Sequence, residues 1–554
     1  MATYRLLDRT ENDLLKHLLR VRGITEEEEQ DFLEPDYDSH RHDPFLLHDM
    51  EKAVERVLSA IKNDELVVIY SDYDCDGIPG AVILHDFFRA VGFTNFKNHI
   101  PHRHYDGFGL SKTAVDSFAK EGVKLVITID CGTSDLEAAT AAREHNIDLI
   151  ITDHHEPKEQ LPEAVAVVNP RVGDSYPFPH LCGAAVVYKL VEALIARGGF
   201  ALNPGTEKWW LDMVGLATIG DMVPLRGENR VFASYGLRVL RKSRRPGLQQ
   251  LLRKAKTDQT RLTEDDIGFV IAPRINAASR MDNPEDAFLM LSATEPGEAG
   301  ARVDHLEKLN KERKSIVSVM TKELKKRVSE LIELPEVLVM GNPEWRPALV
   351  GLCANGLSSE YKRPVFLWGR DGNGIIKGSC RSGSDVSVVR LMEASSEHLL
   401  EHGGHHASGG FAVKEDSIFD LSEIINQAYR SLGKKALNAE ALSIDANLSL
   451  DEIDDSLLRT LRMMAPYGAD NAKPLFSFRN VKPESVDVFG KSQEHLKLVF
   501  KNRYGRLEAI AFFASADQYK VMPKEGEELT LIAHVEESYF MNRHQIRLRI
   551  VDLV

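Results

Sequence analysis

The stretch Leu66-Val67-Val68-Ile69-Tyr70-Ser71-Asp72-Tyr73-Asp74-Cys75-Asp76-Gly77 decides the fold. Its apolar, β-branched start gives way at Gly77 to the helical pattern Ala81-Val82-Ile83-Leu84-His85-Asp86-Phe87-Phe88. That reads as a buried parallel strand, a turn and a crossover helix. Asp72, Asp74 and Asp76 take alternate positions on the turn, and alternate side chains of an extended segment project to one side. Three like charges so close repel unless a cation sits among them. A solvated acidic turn is the plainer alternative. A calcium hand is excluded: Asp72, Asp74, Asp76 and Gly77 fit loop positions one, three, five and six, but position twelve is Ile83 where Glu is needed.

Two later segments follow the same grammar. Val123 to Ile129 is a strand ending in Asp130-Cys131-Gly132, and Asp135 opens the helical pattern Leu136 to His145. Asp148 to Thr152 is a strand ending in Asp153-His154-His155. Strands alternating with helices imply a doubly wound parallel sheet, whose ligand site lies at the carboxyl ends of the strands. All three strands deliver acidic or imidazole groups there, which favours a metal role for His154 over a surface or core role. Asp221, after the helical pattern Trp209 to Ile219, reads by itself as a cap or turn residue.

At 554 residues the chain is long enough for two to four domains. Its first fifty residues look helical and acidic. The segment Ala272-Pro273-Arg274-Ile275-Asn276-Ala277-Ala278-Ser279-Arg280 sets two Arg and an Asn among small residues. Such a segment lets backbone approach a ligand while Arg clamps phosphate, or it is an ordinary salt-bridged loop. A charged helix from Pro296 to Leu334 spans roughly 58 Å at 1.5 Å per residue, and Pro335 ends it at a domain boundary. A second α/β unit begins at Val337 and includes Arg381. Its His402-Gly403-Gly404-His405-His406-Ala407-Ser408-Gly409-Gly410 suits a loop whose backbone N–H groups approach an anion; a metal site without carboxylates and a flexible turn are the alternatives. Five short β segments in the last hundred residues fit a small Greek-key barrel of the OB type. In the last of them Arg543, Gln545, Arg547 and Arg549 alternate with His544, Ile546, Leu548 and Ile550. With Arg503-Tyr504-Gly505-Arg506 and Tyr539-Phe540, this supplies cations for phosphates and aromatics for bases, unless the charges protect an edge strand from aggregation.

The net charge of −15 counts against a whole-surface nucleic-acid binder but leaves room for a local basic track. No apolar stretch approaches a membrane span, and Met1-Ala2-Thr3-Tyr4-Arg5 lacks a signal-peptide pattern. Five cysteines without a CxxC pair argue for a reducing cytoplasm rather than a disulfide scaffold.

Taken in order, the Asp74/Asp76 turn, Asp130, Asp153-His154-His155 and Asp221 resemble the four motifs of the DHH phosphoesterase superfamily. Gly403-Gly404-His405 resembles the associated DHHA1 domain, and a barrel follows. That order is similar to the RecJ-type single-strand-specific DNA exonucleases over nearly the whole chain. The resemblance implies an α/β protein: a DHH domain with an N-terminal helical extension (1–295), a connecting helix (296–334), a DHHA1 domain (335–435) and an OB-fold-like nucleic-acid-binding domain (436–554). It implies two divalent ions, Mn²⁺ or Mg²⁺, held by Asp74, Asp76, Asp130, His154 and Asp221, with Asp72 joining them and Asp130 as the bridge. His155 is then a catalytic residue that contacts phosphate or supports the ligands from behind them, rather than a main ligand. Arg274, Asn276, Arg280, Arg381, Gly403, Gly404 and His405 are expected to hold the strand's phosphates. Two ions about 3.5–4 Å apart stabilise the attacking and leaving oxygens of an in-line displacement, so no Ser or Cys nucleophile is needed.

The expected function is removal of nucleotides from single-stranded DNA, 5′ to 3′, in DNA repair and recombination. The expected partners are single-stranded DNA and a single-strand-binding protein or helicase, with no membrane, for a cytoplasmic monomer. The nearest rival is a DHH phosphodiesterase acting on short oligonucleotides or cyclic dinucleotides; a non-catalytic scaffold would have lost its ligands. Tyr70, Pro79, Arg346 and Asn355-Gly356 depart from the superfamily pattern, which often has His at the first of these positions.

Overall fold

The computed structural model describes residues 4–9, 11, 13–383, 386–432, 442–490, 495–512, 519, 521–540 and 543–554. The chain forms two compact units. The larger comprises Arg41–Val223 and Val231–Ala439, the smaller Met1–His40, Pro224–Arg230 and Glu440–Val554.

In the larger unit the first sheet has five strands, β1 (Val67–Ser71), β2 (Phe96–His99), β3 (Leu125–Ile129), β4 (Asp148–Thr152) and β5 (Ala166–Val168). Their order is β2-β1-β3-β4-β5, and every pair is parallel. The order reverses between β1 and β3, which makes that gap the switch point where such sheets bind ligands. Both strands are buried along their whole length, as parallel strands covered by helices on two faces must be. Helix α1 (Gly77–Ala90) leaves the turn after β1 and buries ten of its fourteen residues. It packs against α2 (Gly183–Gly198), close enough for Gly80 to approach the Ala184 backbone. Helix α3 (Leu211–Gly220) ends at Asp221.

The segment around Arg274 and Arg280 is not a loop. It forms helix α4 (Ala272–Met281), entered through a π-helical turn at Ile267–Ile271, with Pro273 in its first turn. Side chains, not backbone, therefore face outward there. The long helix α5 runs over Pro296–Ser329 and stops five residues before the predicted Leu334. Its buried stripe ends at Val328; Leu331, Ile332 and Leu334 are exposed, so nothing holds another turn before Pro335.

The second sheet has strands β6 (Leu338–Gly341), β7 (Val365–Arg370), β8 (Ile376–Arg381), β9 (Leu399–His405) and β10 (Ser408–Val413), in the order β9-β10-β8-β7-β6. Only β6 and β7 pair in parallel. The predicted glycine loop is a hairpin instead: Gly403 pairs with Gly410 and Gly404 with Gly409. The glycines serve a close backbone approach, because a Cβ on Gly404 (φ 143°) would lie 2.4 Å from the Ser408 carbonyl oxygen.

The smaller unit is built on a seven-stranded sheet, two strands more than expected. From edge to edge it runs Ala446–Asn447, Phe476–Val481, Leu529–Phe540, Arg543–Leu553, Gly505–Phe512, His495–Asn502 and Ser485–Phe489. The extra strands are the first, too short for a periodic signal, and the last, which has no buried residue. At Arg547 and Arg549 the strand Arg543–Leu553 is paired on both sides, so edge protection does not account for these two arginines. Arg547 and Arg549 both reach Glu536 on the neighbouring strand, at 3.3 and 3.5 Å. The side chains of Tyr539, Phe540, Arg543 and His544 lie outside the described residues, as does the predicted boundary at 435/436. The N-terminal helical segment, assigned from sequence to the first α/β domain, belongs to this unit. Leu18, Leu19 and Phe32 share a core with Phe476, Phe478 and Phe500, and His17 Nε2 lies 2.6 Å from the Asp445 carbonyl oxygen. Among the described residues no helix is long and apolar enough to cross a membrane, and all five cysteines are free and buried.

Candidate metal centre

Each strand end is fixed one rung beyond its strand. Asp72 N donates to Ile129 O (3.0 Å), Asp130 N to Thr152 O (2.9 Å) and Asp153 N to Val168 O (3.1 Å). Three acidic residues are thus set side by side by the parallel ladder itself. Asp130 takes φ +61°, an uncommon conformation for a non-glycine residue. In the first turn, Asp74 Oδ1 accepts from Asp76 N (2.8 Å) and Gly77 N (3.3 Å). The Asp76 carboxylate is held by the first two amides of α2, Gly183 N at 2.6 Å and Ala184 N at 2.7 Å, a helix end that favours negative charge. A Cβ on Gly183 would lie 2.6 Å from Asp130 Cβ, so only glycine lets the helix come this near. These amides were not legible from side-chain motifs; the small run Gly183-Ala184-Ala185 ahead of an apolar helix was their one trace.

His154 reaches across the gap. Its Nε2 lies 3.1 Å from Asp130 Oδ1, 3.6 Å from Asp76 Oδ2 and 3.8 Å from Asp221 Oδ2, while the ring's backbone partner is Leu181. Burial, then the neighbouring His155, push its pKa down to about 3, so it presents a neutral nitrogen to three carboxylates. His155 behaves oppositely. Burial lowers its pKa, but the hydrogen bond and charge of Asp153, at 2.8 Å, outweigh this and raise it to about 9. Asp153 accepts from His154 N (2.7 Å), His155 N (3.2 Å), His155 Nδ1 and Thr133 N (2.9 Å). Burial opposes ionisation here too, yet these donors hold its pKa well below the usual carboxylate range. With its oxygens occupied, Asp153 orients the His155 imidazole, holds the His154 backbone and is not itself free to ligate.

Three overlapping donor groups result, each with its ligand atoms within 4.8 Å of one another: Asp72, Asp74 and Asp130; Asp76, His154 and Asp221; Asp130, His154 and His155. The cluster is unstable as a set of anions. Burial first, and neighbouring carboxylates second, raise the pKa of Asp72, Asp130 and Asp221 well above normal and that of Asp76 to about 7. Asp72 Oδ1 and Asp130 Oδ1 are buried and accept no hydrogen bond, although His154 Nε2 stands 3.1 Å from the latter. Two lone-pair atoms facing each other in a buried acidic pocket fit a shared cation. Oxygen-rich donors with one imidazole and no thiolate suit Mg²⁺ or Mn²⁺. The residues present therefore fit divalent ions of this kind.

A basic group lies in the same unit. Arg280 Nη1 donates to Ala348 O (2.6 Å), and burial, then Arg103 and Arg313, push its pKa down to about 9 against the pull of Asp74. Burial also lowers the pKa of Arg381, and the Arg103 charge lowers it further. Arg103 was not singled out from sequence. It sits on the irregular segment 101–110, its guanidinium 4.8 Å over the Tyr73 ring and its charge felt by Asp72; the basic run His102-Arg103-His104 was the available signal. Arg274, expected to hold phosphate, is instead tied to Glu307 and donates to Val270 O at 2.7 Å, because α4 turns it toward α5. Asn276 Oδ1 is buried without a partner. Gly403 and Gly404 lie on the edge strand of the second sheet, with open space where a Gly403 side chain would be. The His405 side chain lies outside the described residues.

Comparison with known proteins matches three family models in order: the DHH family N-terminal domain over residues 66–218, the DHHA1 domain over 334–431 and the RecJ OB domain over 444–552. The single-stranded-DNA-specific exonuclease RecJ of Bacillus subtilis (strain 168) is 31% identical over 542 residues, covering 97% of this chain and 67% of that protein. The Haemophilus influenzae protein of the same name is 30% identical over 530 residues, covering 92% and 91%. The crystal structure of Thermus thermophilus RecJ in complex with Mn²⁺ superposes with a TM-score of 0.82 at 25% identity, covering 100% of this chain and 79% of that one. The α/β reading, with its two sheets and terminal OB domain, agrees with all three matches. The chain belongs to the RecJ family.

Proposed function

We propose that this chain is a metal-dependent exonuclease specific for single-stranded DNA, acting by two-metal hydrolysis of phosphodiester bonds. The observation that carries the reading is the buried carboxylate cluster at three parallel strand ends, facing the neutral Nε2 of His154, in a chain of this family. Asp72, Asp74 and Asp130 would hold one ion and Asp76, His154 and Asp221 the other, with Asp130 shared. When bound, the ions stabilise the charge on the attacking and leaving oxygens of the displacement.

The protein's own groups do the rest. Asp76 is locked by the α2 amides, so its donor atom keeps its place as charge moves. His155, protonated beside Asp153, donates to a phosphate oxygen and offsets its developing charge. Arg280, Arg381 and Arg103 are cations crowded against one another, an arrangement relieved by the phosphates of a strand. Gly403 offers backbone on an exposed edge. We assign the DHH part to 41–295, the connecting helix to 296–334, the DHHA1 part to 335–435 and the OB part to 436–554, with residues 1–40 grouped with the last. The finer reading is 5′ to 3′ degradation in repair and recombination by a cytoplasmic monomer, beside a single-strand-binding protein or helicase.

The test is a time course with Mn²⁺ on oligonucleotides labelled at each end in turn, alongside a duplex and a dinucleotide. Loss of the 5′ label before the 3′ label, an intact blunt duplex and arrest by chelator are the expected results. Duplex degraded as fast as single strands overturns the specificity, and cleavage of the dinucleotide alone moves the chain to the short-substrate phosphodiesterases.

A further inference from the structure

Tyr70 departs from the superfamily pattern, which often has His at this position. Its side chain does not join the carboxylates. The ring is fully buried, stacked on His99 at 5.3 Å and set edge-on to Phe118 at 6.3 Å. Its hydroxyl donates to the Gly109 carbonyl oxygen at 2.7 Å. One residue on, Leu110 N donates to Asp135 Oδ2 at 2.6 Å. Gly109 has φ +83°, and a Cβ there would lie 2.6 Å from Asp135 Oδ2, so the peptide is seated directly on that carboxylate.

These two bonds close the far end of the segment 101–110, whose backbone has no strand or helix to hold it. Its near end is a turn: Tyr105 N and Asp106 N donate to His102 O, and Asp106 Oδ2 accepts from His102 N. His104 Nε2 lies 3.2 Å from Arg280 O. Between the two ends the segment carries Arg103 over Tyr73 and Phe108 to 5.5 Å from the His155 ring. Packing explains the ring of residue 70, since phenylalanine would stack equally well. It does not explain the hydroxyl, a buried polar group that needs a partner and finds it on this segment.

We infer that Tyr70 is a positioning residue for substrate: through the Gly109 carbonyl it holds the segment 101–110 where Arg103 and Phe108 meet the carboxylate cluster. The inference rests on the proposed contact of Arg103 with the strand.

Tyr70→Phe keeps the ring and removes the bond. In the full-length protein, KM for a single-stranded oligonucleotide should rise roughly fivefold, the size of one hydrogen bond, with kcat and the calorimetric Mn²⁺ affinity within about twofold of wild type. Hydrogen exchange of residues 103–109 should accelerate. In an Arg103→Ala background the same change should add nothing to KM, because both act through one contact. Asp135→Ala, which frees the neighbouring amide, should give the same pattern and serves if the Phe variant melts early. A loss of Mn²⁺ affinity with KM unchanged makes Tyr70 part of the metal site and overturns the inference. So do additive effects of Tyr70→Phe and Arg103→Ala. If Arg103→Ala alone leaves KM unchanged, the assignment of Arg103 falls first and the inference with it.

Discussion

The acidic and basic poles of the larger unit are frustrated in the same way and built in different ways. Burial and like charge raise the carboxyl groups of Asp72, Asp76, Asp130 and Asp221; burial and like charge lower Arg280. Neither pole is at ease until an opposite charge arrives, cations for one and phosphates for the other. The acidic pole is set by backbone, since the parallel ladder and the α2 amides fix its members. The basic pole is assembled from α4, β8 and an irregular segment, each reaching in with a long side chain. A rigid pole suits the chemistry and an adaptable one suits a moving strand.

Asp130→Ala is the largest test of this contrast. Losing the residue shared by two donor groups should cut kcat roughly a thousandfold, the upper range for deleting one transition-state electrostatic contact. In chelator the variant should melt no earlier than wild type, because it relieves repulsion, and the rise in Tm on adding Mn²⁺ should shrink. A lower Tm in chelator would make Asp130 a structural member of the sheet rather than a frustrated one.

Arg280→Ala probes the other pole with a smaller effect. A charge-assisted hydrogen bond contributes about 1.5–3 kcal/mol, so KM for single-stranded DNA should rise about ten- to a hundredfold with kcat changed less. The slope of log binding constant against log salt should flatten by about 0.7, one contact on a single strand. An unchanged slope would mean that Arg280 serves only its bond to the Ala348 carbonyl.

The same contrast governs what could be read from the chain. Strand ends were legible because a parallel sheet puts its site at one end, so Asp74, Asp130 and His154 followed from an apolar run and the residue after it. The Gly183 and Ala184 amides were not, since a backbone donor leaves no side-chain signature. Arg103 sits on a segment without periodicity. The Gly403-Gly404 hairpin read as a loop because glycine is a poor strand former, and its pairing is decided by Ser408–Val413. The place of residues 1–40 depended on Leu18 and Leu19 meeting Phe476, more than 450 positions away, which no local pattern encodes. Arg274 and Arg280 looked equivalent on one short stretch; six positions of helix point one at Glu307 and the other at the basic pole.

Asp135 offers the finest cut, being a half-buried carboxylate outside the three metal-competent groups. Burial raises its pKa to about 6 against the Leu110 N–H that favours its anion. Because the folded value lies above the ordinary value of 3.8, its contribution to stability is complete below about pH 4 and is lost as pH rises through 6. A shift of about two units at 1.36 kcal/mol each caps the loss near 3 kcal/mol. Denaturant unfolding in chelator should therefore show wild type losing at most about 3 kcal/mol relative to Asp135→Asn between pH 4 and 7. The asparagine can still accept from Leu110 N, so the difference reports charge alone. Mn²⁺ should leave it in place above pH 6, while it relieves the strain among Asp72, Asp76, Asp130 and Asp221. If Mn²⁺ also abolishes the Asp135 difference, the anchor of the Arg103 segment is electrostatically part of the acidic pole, and the two poles are one coupled site.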